Sequence, residues 1–212
     1  MALRDKNYPV ATPTSMKDTA AEIIANHVHT GTKLHEVFFQ SQGDVLQKMA
    51  LRFARCLAQG GKILLCGNGG DAACAQYMAT AFVHQCHLNR PALPALALAS
   101  NIVSLTAIGN DQGFSQIFAR QVEALGNQGD ILFGISAQKN CVNVQMALIT
   151  AQRRGLVTAS LACEGADVSS CCDMAIQAPD ADVLLVRELH LVAGHILCRL
   201  TDYYLFVNVT AL

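Results

Sequence analysis

The chain has 212 residues, with 15 Lys or Arg against 16 Asp or Glu and a formal net charge of −1. No basic block stands out, which argues against direct nucleic-acid binding, and no apolar run reaches the length of a membrane span. Hydrophobic residues make up 52% and charged residues only 15%, a balance that predicts apolar surface buried between subunits. The length suits one large domain with a sizeable core. The N-terminus lacks a basic-plus-apolar signal pattern, so the expected compartment is the cytoplasm. There are nine cysteines and no C-x-x-C pair. Cys56, Cys66, Cys74, Cys86 and Cys198 sit in apolar or helical stretches and read as reduced core thiols. Cys171 and Cys172 are neighbours, poorly placed for an ordinary disulfide. His84 and His87 flank Cys86, but no partner spacing supports a metal there.

In chain order, residues 1–15 hold two prolines and little periodicity and read as a loose arm, with residues 16–212 as a single domain. Thr14, Ser15 and Asp18 are candidate caps for a helix through Ala20, Ile23, Ile24 and His27. A second helix is expected from about Lys33 to Leu57, with Leu46, Met49, Ala50, Phe53 and Leu57 at helical spacing and a break near Gly43. Gln59-Gly60-Gly61 stops it. Ile63 to Cys66 is a short apolar run suited to a buried parallel strand. Gly67-Asn68-Gly69-Gly70 then forms a glycine turn, and Asp71 opens a helix. A second strand is expected at Ala95 to Leu98, with Ser100 capping a short helix through Ile108. Gly109-Asn110-Asp111-Gln112-Gly113 reads as a turn and Phe114 to Leu125 as a helix. Asp130 to Ser136 is a third strand. Asn140 to Arg154 is a helix ended by Gly155. Leu156 to Leu161 and Met174 to Gln177 are the last strands, and Asp182 to Val207 is a long apolar helix.

Short apolar strands alternating with helices predict a three-layer α/β/α fold, doubly wound around a parallel sheet, with right-handed crossovers. Ligands of such sheets bind at the carboxyl ends of the strands. The strand–glycine turn–helix order after Cys66 aims free N–H groups and the positive end of a helix dipole at one spot, a natural seat for phosphate. The same stretch also serves as a plain tight βα turn, since it lacks the Lys and Ser/Thr of a P-loop and the spacing of a dinucleotide fingerprint. A second strand–loop–helix runs from Ser136 through Ala137, Gln138 and Lys139 to Asn140. Ser136 can donate a hydroxyl and Lys139 can supply charge, or Ser136 and Asn140 simply cap the helix. The last helix carries Arg187, Glu188, His190 and His195. His195 is a candidate acid or base near neutral pH, or a buried imidazole bonded to a carbonyl. Glu188 lies seven residues before it, near the same face.

Cys66-Gly67-Asn68-Gly69-Gly70, Asn89-Arg90-Pro91, Gly109-Asn110-Asp111 with Gly113-Phe114, Gly129-Asp130 with Gly134-Ile135-Ser136, and Glu188-Leu189-His190 with His195 occur in that order. Together they resemble the sugar isomerase (SIS) domain of phosphoheptose isomerases, which convert sedoheptulose 7-phosphate into a heptose 7-phosphate. The resemblance covers about Ala20 to the C-terminus. It implies a five-stranded parallel sheet between helices and a cytoplasmic homotetramer with active sites between subunits. It also implies a place upstream of bacterial lipopolysaccharide heptose. Under it, Asn68, Gly69, Gly70, Asp71, Asp111, Ser136, Lys139, Asn140 and Arg187 are the expected substrate-binding set, and His195 and Glu188 the catalytic candidates.

The resemblance also implies zinc, but this chain departs at the positions involved. Tyr77 stands where the family has a metal-ligating His, Ala81 where it has a Glu base, and Arg187 where it has a Gln ligand. Asp71 replaces the usual Ser after the glycine turn. The expectation is therefore a protein that keeps no metal, binds a sugar phosphate, and isomerises it slowly or not at all. The alternative is a non-catalytic regulator or assembly protein with a protein partner. It resembles the DnaA initiator-associating SIS proteins, which also lack the Glu and share a similar Ala72-to-Gln76 run.

Overall fold

The structure, a computed structural model, describes residues 19–179 and 181–212. The predicted arm and the candidate caps Thr14, Ser15 and Asp18 lie outside the described residues. The first helix, α1 (Ala20–Ala58), is capped instead by Thr19. Its hydroxyl accepts from the Glu22 N–H at 3.3 Å while Glu22 Oε2 accepts from the Thr19 N–H at 2.7 Å, a reciprocal capping box. The two helices expected before Gln59 are one continuous helix. Gly31 lies under the last helix of the chain, where a Cβ would sit 3.5 Å from Leu185 Cδ2. Gly43 meets nothing, and a lone glycine costs a helix only about 1 kcal/mol. Residues 20–30 of α1 are all exposed, whereas Leu46, Met49, Ala50, Phe53 and Leu57 are buried.

Strands β1 (Ile63–Cys66), β2 (Ala95–Ala97), β3 (Ile131–Ser136), β4 (Val157–Cys163) and β5 (Met174–Ala178) form one parallel sheet in the order β2-β1-β3-β4-β5. β1 and β3 are buried at every residue, as their unbroken apolar pattern requires. The helices between strands are α2 (Gly70–Val83), α3 (Ile102–Gln112), α4 (Ala119–Leu125) and α5 (Val142–Arg153), and α6 (Val183–Phe206) closes the chain. Phe53 of α1 packs edge-on against Phe133 of β3, with ring centroids 5.3 Å apart.

Three local expectations are corrected. Gly109 to Gln112 is the last turn of α3, and the chain turns only at Gly113, whose φ of 89° suits glycine. Asn101, not Ser100, caps α3 by accepting from the Ser104 N–H. Phe114 to Leu125 is a short 3₁₀ turn followed by α4 rather than one helix.

The strand order places the site. β1 and β3 are neighbours, and the chain moves outward from them in opposite directions, to β2 on one side and to β4 and β5 on the other. A crevice opens at the carboxyl ends where the winding reverses. The turns after β1 and β3 flank it. Cys66, the last residue of β1, is in register with Gly134, and β3 runs two residues further, to Ser136, before its own turn.

Arg90 locks the far end of α2. Its guanidinium donates to the carbonyls of Ala81, Phe82 and Pro91 and, through Nε, to Asp202 Oδ1 of α6 at 2.8 Å. Both charged side chains are 2% exposed. Burial pushes the Asp202 carboxyl up from its usual range, with Arg90 pulling the other way. Removing one partner of such a pair leaves the other charge uncompensated. Arg90→Met is expected to cost about 3–5 kcal/mol, read as a lower urea midpoint with an unchanged m-value.

Candidate functional site at the switch point

The turn after β1 is tight. Gly67 runs so close to the start of α2 that a Cβ would lie 2.8 Å from the Asp71 backbone. Gly69 has φ 54° and caps α2 without a side-chain bond. Asn68 reaches across the crevice to the first turn of α5. Its Nδ2 donates to Asn143 Oδ1, and Asn143 Nδ2 donates back to Asn68 Oδ1, both at 2.8 Å. Asn143 Oδ1 also accepts from the Val144 N–H at 3.0 Å. A second tie lies alongside: Asp71 Oδ2 accepts from the Ala137 N–H at 3.0 Å. The two strand–loop–helix turns are therefore fastened together by α2-side residues that bond the loop and helix after β3.

Asp71 is 2% exposed. Its second oxygen, Oδ1, lies 3.5 Å from Arg187 Nε and 3.9 Å from His190 Nδ1, both on α6. His190 is fully buried. Arg187 passes directly over Gly70, where a Cβ would lie 2.9 Å from Nε. One helical turn or more further along, the rings of Tyr77 and His195 meet edge-on with centroids 5.1 Å apart. Tyr77 is 47% exposed, while Ala81 is buried.

The loop after β3 differs from a simple cap. Ser136 is buried, donates to the Gln138 carbonyl at 2.7 Å and accepts weakly from the Gln138 N–H. Neither Ser136 nor Asn140 caps α5; Cys141 holds that position without a side-chain bond. Gln138, Lys139 and Asn140 are exposed at the rim. Asp111 is exposed on α3, where Oδ1 accepts from Asn110 Nδ2. Glu188 turns away from the crevice: its Oε1 meets His27 Nε2 of α1 at 2.7 Å. It stands roughly 10 Å along the helix from His195, so the two candidates do not meet. The sequence placed His27 only as a helix position and passed over Asn143, for which a polar residue in the first turn of α5 was the only signal. A hollow of about 530 Å³ lined by Leu96, Ser100, Ile108, Arg120 and Leu125 shares none of these residues and lies beside edge strand β2.

Residues 26–162 match the SIS domain family. The chain is 52% identical to the phosphoheptose isomerase of Desulfovibrio desulfuricans over 93% of its own length and 94% of that protein's. It is 46% identical to that of Nitratidesulfovibrio vulgaris, again over 93% of this chain and 95% of that protein. Among solved structures it superposes on the phosphoheptose isomerase of Neisseria gonorrhoeae with TM-score 0.82 and 32% identity, covering 87% of this chain and 99% of that one. The Francisella tularensis phosphoheptose isomerase gives TM-score 0.84 and 30% identity over the same shares. The chain thus belongs to the phosphoheptose isomerase family of SIS-domain proteins.

Zinc, which the family resemblance implies, does not fit the side chains present. A phenol, a methyl and a guanidinium stand at Tyr77, Ala81 and Arg187, and the last two offer a metal no lone pair. Among the described residues, no three His, Cys, Asp or Glu side chains group so as to hold a metal ion.

Two outcomes are expected of this site. Asn68→Ala leaves Asn143 without its paired amide and is expected to cost about 1–3 kcal/mol, measured by thermal or urea unfolding. Burial pushes the thiols of Cys66 and Cys74 up to about 12. At pH 8 both should resist iodoacetamide in the folded chain and react once denaturant is added, followed by peptide mass spectrometry.

Proposed function

We propose that the chain binds a ketose phosphate of the sedoheptulose 7-phosphate class in the switch-point crevice and interconverts it with the corresponding aldose phosphate. The observation that carries this reading is the fastening of two anion-friendly helix N-termini, those of α2 and α5, around one crevice. Near-full-length identity to curated phosphoheptose isomerases favours an isomerase over a purely regulatory protein.

Isomerisation through an enediol requires a base that moves a proton between adjacent carbons and a group that serves the carbonyl oxygen. His195, held edge-on by Tyr77, is the imidazole available for the proton. Ala81 offers no carboxylate. The backbone N–H groups of the two turns, with Lys139 and Asn140 at the rim, take the phosphate, while Ser136 braces the loop from beneath through its bond to the Gln138 carbonyl. Turnover without a metal and without the carboxylate is expected to be slower than in a family member that has them, by a factor on the order of 10²–10⁴. An assay of ketose phosphate conversion tests this, with His195→Ala expected to abolish what turnover there is. Undiminished conversion by His195→Ala would show that another group carries the proton.

The proposed working form is a cytoplasmic homotetramer that serves lipopolysaccharide heptose synthesis. Ile23, Ile24 and Val28 on the exposed start of α1 are 59–66% exposed, and Ile102, Val103 and Phe114 are 66–73% exposed. Patches of this kind are ordinarily covered by a second subunit. No helix among the described residues is long and apolar enough to cross a membrane. Light scattering at micromolar concentration should give a multimer; a stable monomer would refute it.

A further inference from the structure

Four buried polar atoms without hydrogen-bond partners gather beside the first turn of α2. They are Asp71 Oδ1, Arg187 Nε and both ring nitrogens of His190. Arg187 Nε at 3.5 Å and His190 Nδ1 at 3.9 Å stand just beyond bonding range of the same carboxylate oxygen. Buried groups left in this state are costly and call for completion. Asp71 faces inward, with its other oxygen already taken by the Ala137 N–H, so its charge is spent on the protein rather than aimed at the crevice.

The Arg187 side chain is 32% exposed although its Nε is buried. Its terminal Nη groups make no hydrogen bond among the described residues and are not among the buried unpartnered atoms. The guanidinium lies across Gly70, with Cζ 3.3 Å from where a Cβ would be, so glycine at that position is what lets it approach the backbone. The N–H groups of Gly69 and Gly70 likewise have no partner among the described residues. A planar cation and two backbone donors without partners among the described residues therefore lie together at the N-terminal end of a 14-residue helix. The buried, unsatisfied carboxylate stands behind the cation.

We infer that Asp71 is a positioning residue that holds Arg187 by its Nε edge, and that the Nη groups of Arg187, with the Gly69 and Gly70 N–H groups, seat a negatively charged oxygen of the sugar phosphate. The inference rests on the sugar-phosphate reading above and names the group that takes the charge. A guanidinium gripped along one edge keeps donors on the other, and gripping it removes the rotamer freedom that would otherwise be lost on binding. His190 Nδ1, 3.9 Å away, is the other α6 nitrogen that faces Asp71 Oδ1.

The experiment is calorimetric titration of the full chain with inorganic phosphate and with sedoheptulose 7-phosphate. It compares the parent with Arg187→Gln, Arg187→Lys, Asp71→Asn and the Asp71→Asn/Arg187→Gln double variant. Arg187→Gln is expected to weaken binding by about tenfold or more, the scale of one charge-assisted contact. Arg187→Lys keeps the charge but not the Nε–H, and should recover only part of the loss. Asp71→Asn should weaken binding when Arg187 is present and add nothing when it is already Gln, a coupling that a merely structural role would not produce. Loss for both ligands assigns the contact to the phosphate; loss for the ketose phosphate alone assigns it to a sugar oxygen. A parent that binds while Arg187→Gln binds both ligands equally well overturns the inference and leaves the sugar-phosphate reading standing. A parent that binds neither ligand overturns both. Equal losses from Asp71→Asn in the two backgrounds would remove its positioning role. Should Asp71→Asn fail to fold, the Lys-against-Gln comparison at partly exposed Arg187 decides: full recovery by Lys overturns the role of the Nε edge.

Discussion

The bond from the Ala137 N–H to Asp71 Oδ2 is the constraint on which the site depends. It spans the point where the sheet reverses its winding, and joins the first turn of α2 to the loop that follows β3. Without it the two turns would be joined only by the paired amides of Asn68 and Asn143. With it, and with the paired amides of Asn68 and Asn143 beside it, the loop after β3 is referred to the same frame as the glycine turn. The carboxylate can make this tie because it is buried; an exposed one would give up the bond to water.

The scaffold and the chemistry are separable in this chain, and position 81 shows why. Ala81 is buried, and its carbonyl is taken by Arg90 Nη2 at 2.9 Å. The backbone there is held by a guanidinium from the following loop, whatever side chain the residue carries. The main chain of α2 at that point is therefore held by a contact that does not involve the Ala81 side chain. The same loop reaches α6 through Asp202, so the far ends of the two helices that border the crevice are fixed by one residue.

The sheet was legible in the sequence because its strands are short, mostly apolar runs, and all five begin within a residue of where the pattern puts them. The errors fell where tertiary contact overrides local signals. A break was expected near Gly43, yet α1 runs through it unbroken and packs under α6 at Gly31. Gly109 reads as a turn, yet it faces Ile117 within a continuous helix. At the site, Asn68, Asp71 and Arg187 were legible as residue types but not as a circuit. Nothing in their spacing says that Asp71 turns inward, that Ser136 spends its hydroxyl on Gln138, or that Glu188 leaves His195 for His27. For Asp71 and Glu188 the outcome is set by which helix face packs against which neighbour, with partners 66 and 161 positions away.

Arg187 and Glu188 are consecutive, yet they answer to different parts of the molecule. One approaches the start of α2; the other is paired with the exposed half of α1. Neighbouring side chains on a helix are about 100° apart around its axis, so α6 acts here as a shaft with two cranks. One turn of α6 therefore borders both the start of α2, through Arg187, and the exposed half of α1, through Glu188.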